Sequence, residues 1–192
     1  MQHKTLFLCL AALLPLATAA GQTKYEREYR IKTQAVPAPA RQFVDSLAFR
    51  KKVKWYFEEN LRGNSIEAKV CRDKKRFSIE FDTSGVLQDI EIQHRWTDIP
   101  EHTRNQITAT LDSLFVRHDI RKIQIQYAGD RSALFKLAQN QQPAKAYTTR
   151  YEMVVKGKKP DGLRLYEITL DENGALRALE EIVFKNSDNL EY

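Results

Sequence analysis

Among the residue types that carry chemistry, two carboxylates recur in one setting: Asp82-Thr-Ser-Gly85 and Asp171-Glu-Asn-Gly174 are two copies of Asp-x-x-Gly. Acids so placed invite a calcium-loop reading, but Gln93 and Ile182 stand where an EF-hand needs its distal acid at the twelfth position. Each acid reads instead as a turn residue bonding the backbone ahead of it, with glycine supplying the positive φ of a tight hairpin. His94, His102 and His118 have no metal-ligand spacing and read as solvated or capping groups. The sequence has no Gly-x-Ser-x-Gly elbow and no His-Glu-x-x-His pair, and seven glycines leave little material for a nucleotide cradle. With no catalytic constellation, the expectation is a binding module and not an enzyme, without cofactor or metal. Scattered Asp and Glu remain the one route to an acid–base pair.

Two further groups of side chains are candidates for binding. Arg72-Asp-Lys74-Lys75-Arg76 and Lys156-Gly-Lys158-Lys159 make basic hairpin tips, with Lys74, Lys75, Lys158 and Lys159 able to meet carboxylate, phosphate or sulfate groups. The plain alternative is that such lysines keep tips soluble and guard sheet edges. Trp55, Tyr56 and Phe57 are consecutive, so on a strand Tyr56 faces opposite to its neighbours. Trp55, Tyr56 and Trp96 are therefore either partner-facing anchors or filling for a sheet–helix layer.

The elements that must position these residues are visible as a duplication. Phe77-Ser-Ile-Glu-Phe-Asp82-Thr-Ser-Gly85-Val-Leu-Gln-Asp-Ile-Glu91 reappears as Tyr166-Glu-Ile-Thr-Leu-Asp171-Glu-Asn-Gly174-Ala-Leu-Arg-Ala-Leu-Glu180. In each copy apolar and polar residues alternate before the turn, the period of a strand with one buried face. Ile66-Glu-Ala-Lys-Val70 and Tyr151-Glu-Met-Val-Val155 supply the preceding strands, and Val36-Pro37 and Ile99-Pro100 head two helices. Ile107, Leu111, Leu114 and Phe115 form the apolar stripe of the second helix, and Asp98 with Glu101 has capping-box spacing at its start. The second copy is longer by an inserted loop at 128–146. Within it Arg131-Ser-Ala-Leu-Phe-Lys-Leu-Ala-Gln139 predicts a short helix, either a surface loop with its own packing or a recognition loop overhanging the sheet.

Ahead of the duplication the chain reads as a signal peptide over residues 1–20. Lys4 lies in a short basic region, Leu6 to Leu16 is apolar but too short to span a bilayer comfortably, and Ala17-Thr-Ala-Ala-Gly21 offers small residues for cleavage near Ala19 to Gly21. No later apolar run approaches membrane-spanning length, so a periplasmic or secreted protein without a transmembrane segment is expected. Loss of Lys4 leaves 30 of the 31 basic residues against 25 acidic ones, taking the net charge from +6 to +5. That balance is a poor fit for nucleic acid, and no nucleic-acid motif accompanies the lysines. Cys9 leaves with the leader, so Cys71 has no internal partner; it is either a small buried hydrophobe or pairs with another chain or thiol.

The order of a Pro-headed helix, a strand with an aromatic or aliphatic residue before Glu, a strand ending in Phe/Leu-Asp-x-x-Gly and a hydrophobic–acidic strand resembles the PepSY-like repeat. More narrowly, it is similar to the exported group described as beta-lactamase-inhibitor-like, over about residues 33 to 185 as tandem copies at 33–97 and 98–185. The resemblance implies an α+β fold, each copy a helix packed on an antiparallel sheet of about four strands, as in the beta-lactamase inhibitory protein fold. It further implies two sheets joined side by side with a concave face free for an exported or envelope protein partner. Binding of an anionic glycan or lipid through the basic tips is the alternative, and salt separates the two.

Overall fold

The computed structural model describes residues 22–24, 26–60 and 63–183; the expected leader lies outside the described residues. The chain opens with β1 (Gln22–Lys24), β2 (Glu26–Ile31) and α1 (Ala38–Ser46), followed by β3 (Lys54–Asn60), β4 (Gly63–Arg72), β5 (Lys75–Asp82) and β6 (Leu87–Gln93). It continues through α2 (Glu101–Leu114), β7 (Arg117–Gly129), α3 (Arg131–Ala138), β8 (Tyr147–Lys159), β9 (Gly162–Asp171) and β10 (Leu176–Ile182). From β2 to β10 every neighbour in the sheet is the next strand in sequence and every pairing is antiparallel. Because β6 pairs with β7, these nine strands form one continuous sheet.

Local sequence explains the helices. Pro37 and Pro100 occupy the N-cap positions of α1 and α2, where no backbone N–H is needed. Ala40, Phe43, Val44 and Leu47 recur at helical spacing and are all buried, as are Ile107 and Leu111 on α2. The capping box expected from Asp98 and Glu101 does not form. Asp98 instead accepts from the backbone N–H of Arg95 at 3.0 Å and closes a 3-10 turn at Trp96–Asp98, leaving Pro100 to begin the helix. α3 is capped by Asp130, whose carboxylate accepts from Ser132 N at 2.7 Å.

All three helices cover one face of the sheet. Phe43 of α1 and Leu134 and Ala138 of α3 pack with Ile79, Phe81 and Ile90, while Ile107 and Leu111 pack with Met153, Ile168 and Leu170. Tyr127 touches both groups. The insertion thus joins the helix-covered core and does not overhang the opposite face.

The two Asp-x-x-Gly turns are tucked beneath these helices. Asp82 Oδ1 accepts from Ser84 N and Val86 N, both at 2.9 Å, and Asp171 Oδ1 accepts from Asn173 N and Ala175 N, both at 3.0 Å. Gly85 has φ +90°, and a Cβ there would stand 2.9 Å from Pro37 Cβ and 3.1 Å from Ala40 N; Gly174 at φ +83° meets Gln106 and Ile107 in the same way. The glycines therefore satisfy two demands at once, a left-handed turn and the close approach of a helix.

Among the described residues no helix lies over the opposite face, yet Glu67, Ser78, Asp89 and Gln124 on that face are buried. Burial of side chains with no described covering layer fits a sheet that curls around them. Bulges at Gln88, Arg121 and Arg177, each an extra residue in its ladder, sharpen the curl. The N-terminal segment completes it: β1 pairs with β10 and β2 pairs with β3, although Lys24 and Glu26 are only two residues, at most about 7 Å, apart. Both ends of the nine-strand order thus meet on one stretch of chain. The parity agrees, since nine alternating strands begin and end in the same direction and β1 is parallel to β10.

Replacing Gly85 or Gly174 by alanine is expected to cost roughly 2–4 kcal/mol, combining strain at positive φ with a clash against helix backbone. Urea unfolding of each variant measures it, and a loss below about 0.5 kcal/mol would contradict the packing described.

Candidate functional site

The concave face is a polar chamber with two zones. Its mouth lies at the end of the sheet where β3 and β7 begin and β4 and β6 finish, and there a cavity of about 850 Å³ opens. Lys51, Lys52 and Lys54 line it from the segment entering β3, Lys69 and Arg76 from the β4–β5 hairpin, and Arg121 and Lys122 from the bulged start of β7. Cys71, Ser78, Gln93 and Gln124 also line it, and among the described residues no Asp or Glu does. Of these seven cations Lys69 pairs with Glu28 and Glu67 and Arg121 with Asp119, and the set still concentrates positive charge at the mouth beyond what the net charge of the chain suggests.

Deeper in, the register places carboxylates side by side: Glu67 lies opposite Glu80, and Glu80 opposite Asp89. Glu91 and Glu152 belong to the same group. Gln124 Nε2 donates to Glu91 Oε2 at 2.6 Å, and Gln126 Nε2 bridges Asp89 Oδ2 at 3.3 Å and Glu152 Oε1 at 3.0 Å. Burial pushes the Asp89 pKa well above the carboxylate range, reinforced by the charges of Glu80, Glu152 and Glu67. Glu91 is raised in the same sense by burial and then by the charge of Glu152 and a hydrogen bond with it. Such neighbours hold protons between them at a pH where isolated carboxylates have none.

Lys69 marks the border between the zones. Its ammonium contacts Glu28 at 2.6 Å and Glu67 at 3.0 Å and lies 4.9 Å from the Tyr56 ring centroid. Burial alone would lower its pKa, but Glu67 and Glu28 outweigh it and hold the lysine above its ordinary value.

The residues singled out in the sequence fall in several places. Trp55 is 5% exposed and packs against Phe81 beneath α1, so it is not a partner-facing anchor; that expectation is corrected by its position on the helix-covered face. Tyr56 does face the concave side, but it is only 6% exposed and sits under Lys69. Trp96 is half-buried against the α2 core. Lys74, Lys75 and Lys158 are exposed, and β4 and β8 run in the same direction, so both basic tips point to the end that carries the mouth. None of the four tip lysines lines the cavity, and Lys159 lies over Tyr166 and Phe115 at 4.8 and 5.8 Å on the other face. Cys71 is unpaired, half-buried and part of the lining.

Sequence reading missed the lysines at 51, 52, 54 and 122 and the interior carboxylates. The run Lys51-Lys-x-Lys54 was a visible signal; the carboxylates looked like a solvated face. Among the described residues no group of three His, Cys, Asp or Glu is disposed to hold a metal ion, and no helix is long and apolar enough to cross a membrane.

Comparison with known proteins adds fold evidence. A structure described, provisionally, as a periplasmic protein of Bacteroides eggerthii superposes with a TM-score of 0.53 at 13% identity, over 80% of this chain and 93% of that one. The fold is shared. A BLIP-like protein of Bacteroides fragilis gives 0.48 at 13% identity, over 82% of this chain and 92% of that one. No family model matches the sequence. No curated protein matches it either.

The buried carboxyls give a signed pH dependence. A group whose folded pKa is raised binds more protons folded than unfolded, so stability falls as pH climbs from the ordinary carboxylate range through the raised value. Glu91→Gln, which retains an acceptor for Gln124, is expected to raise Tm by roughly 2–4 °C at pH 8 and by less at pH 4.5. Differential scanning calorimetry at both values measures this, and an equal or larger gain at pH 4.5 would refute the repulsion.

Proposed function

We propose that this chain is an exported, non-enzymatic binding protein that takes an anionic ligand, the carboxylate, phosphate or sulfate of a glycan or lipid headgroup, into the mouth of the chamber. The observation that carries this reading is the lining itself: seven Lys and Arg side chains around about 850 Å³, with no acidic residue among the described residues that line it. Cations gathered in a concavity with low-dielectric walls attract anions far more strongly than the same charges spread over a surface.

The tip lysines at 74, 75 and 158 stand outside the mouth, where they steer an anion inward more than hold it. A protein partner bound through concave-face aromatics is less well supported, because Trp55 lies beneath α1 and Tyr56 beneath Lys69.

The reading of residues 1–20 as a leader supports export. The chain is further read as two PepSY-like copies at 33–97 and 98–185. Support comes from the matching Asp82 and Asp171 turns, the glycines beneath α1 and α2, and the bulges at Gln88 and Arg177, which fall six residues beyond each aspartate.

Cys71 offers a direct readout, since it lines the cavity and is the one cysteine after the leader. Adipate or inorganic phosphate is expected to slow modification of Cys71 by the neutral reagent N-ethylmaleimide at about 50 mM salt and much less at about 500 mM. Lys52→Ser combined with Lys122→Ser should abolish the protection while leaving Tm within about 2 °C of the parent. Unchanged modification rates with both anions at low salt would overturn the reading.

A further inference from the structure

Charge in this chain is separated and not evenly spread. Four segments at the end of the sheet that carries the mouth, residues 47–54, 72–76, 115–122 and 156–164, hold fifteen of the 31 Lys and Arg but three of the 25 Asp and Glu. The remainder has 16 basic against 22 acidic residues and is net acidic. Ten of the fifteen cations are exposed. Two of the three acids are taken up locally, Asp119 by Arg121 at 3.0 Å and Asp161 by Arg164 at 2.7 Å, and Glu181 near the close of β10 also meets Arg164 at 3.2 Å. A charge separation of this kind turns the mouth toward an anionic surface before any contact is made.

The same end holds apolar side chains in water. Tyr29, Val86, Val116, Leu163 and Val183 are the large apolar residues exposed among the described residues, and the last three lie at this end. The projection of one hairpin sets two of them apart. β8 continues five residues past Val154, the partner of Lys122, so the β8–β9 hairpin extends beyond the lining of the cavity. Val116, 68% exposed, donates its backbone N–H to Lys158 O at 2.8 Å, and Leu163, 56% exposed, stands opposite Lys158 in the β8–β9 register. Single exposed apolar residues need no explanation, but two beside an exposed lysine on a projecting hairpin make an amphipathic tip.

We propose that this end of the protein docks on an anionic phospholipid bilayer: the cations around the mouth meet headgroup phosphates, and Val116 and Leu163 enter the boundary between headgroups and acyl chains beside Lys158. This rests on the anion-binding reading above and names the source of the anion, a headgroup that a membrane presents to the mouth. An anionic glycan or an acidic protein would match the charge alone. A bilayer in addition places hydrocarbon directly beneath a plane of negative charge, which is the layering that exposed apolar side chains among cations fit. Lys158 suits that boundary, since its stem can follow the apolar pair while its ammonium stays at headgroup level.

Cosedimentation with vesicles tests this, using the chain from Gly21 onward so that the apolar leader contributes nothing. Vesicles of phosphatidylcholine with about 30% phosphatidylglycerol are expected to bind about tenfold more tightly than phosphatidylcholine alone at about 100 mM salt, and to lose most of that preference at about 500 mM. Val116→Ser combined with Leu163→Ser should weaken binding about fivefold with Tm within about 2 °C of the parent, because both side chains are exposed. Val86→Ser, at a residue 60% exposed in the β5–β6 turn at the opposite end, should change binding by less than about twofold. Equal binding by the double variant and the parent would mean adsorption by charge alone and would overturn docking through the tip. No vesicle binding while phosphate still protects Cys71, or retention on heparin with none on vesicles, would overturn the inference and leave anion binding intact. Absence of both vesicle binding and Cys71 protection would overturn the anion reading itself, and this inference with it.

Discussion

Among the described residues three helices lie on one face of the sheet and none on the other, and this one-sided cover is the constraint from which the remaining architecture follows. Apolar side chains on nine strands must be buried, and the covered face is where they go: Phe81, Ile79, Ile90, Met153, Ile168 and Leu170 all point to the helices. The residues between them necessarily face the other way. A flat sheet would expose that second set to water as an ordinary polar surface. Here bulges and the shared N-terminal segment curl the sheet inward, so residues patterned as a surface become the wall of an interior.

An interior built from surface residues has an electrostatic consequence. Carboxylates that would be fully ionised on a flat face are crowded in register, and the network stays intact by sharing protons and amide donors from Gln124 and Gln126. Lys69 compensates part of the charge through Glu67 and Glu28, and it does so between the carboxylate network and the basic lining of the mouth. The arrangement sacrifices some stability for a polar space of defined polarity, a combination found where a fold serves a ligand and not only its own packing.

What could be read from the sequence was what local chemistry determines. Asp82 and Asp171 specify their turns through bonds to backbone N–H groups two and four residues ahead, and those contacts form as read. Pro37 and Pro100 mark helix starts for an equally local reason. The side taken by Trp55 was not local; alternation separates Trp55 from Tyr56 but does not say which of the two faces the helices. The same blindness hid the carboxylates, since period-2 patterning is identical whether the polar face meets bulk water or a chamber. The closing segment Glu26–Ile31 mixes charged residues with Tyr29 and Ile31 and carries no turn signal tying it to a partner, so its role appears only once β3 and β10 are in place.

That closing segment has a temporal consequence. Residues 22–24 pair with Glu180 to Ile182, the strand farthest from them in sequence. The ladder from β2 to β10 is otherwise made of sequence neighbours, the arrangement of low contact order that assembles quickly by hairpin addition. The final join is of the opposite kind, a contact of very high sequence separation that bears a large loop-closure entropy and is made by three residues on β1. Folding is thus divided between a fast local zipper and a long-range circularisation, and the wall of the chamber is incomplete until β1 has met β10.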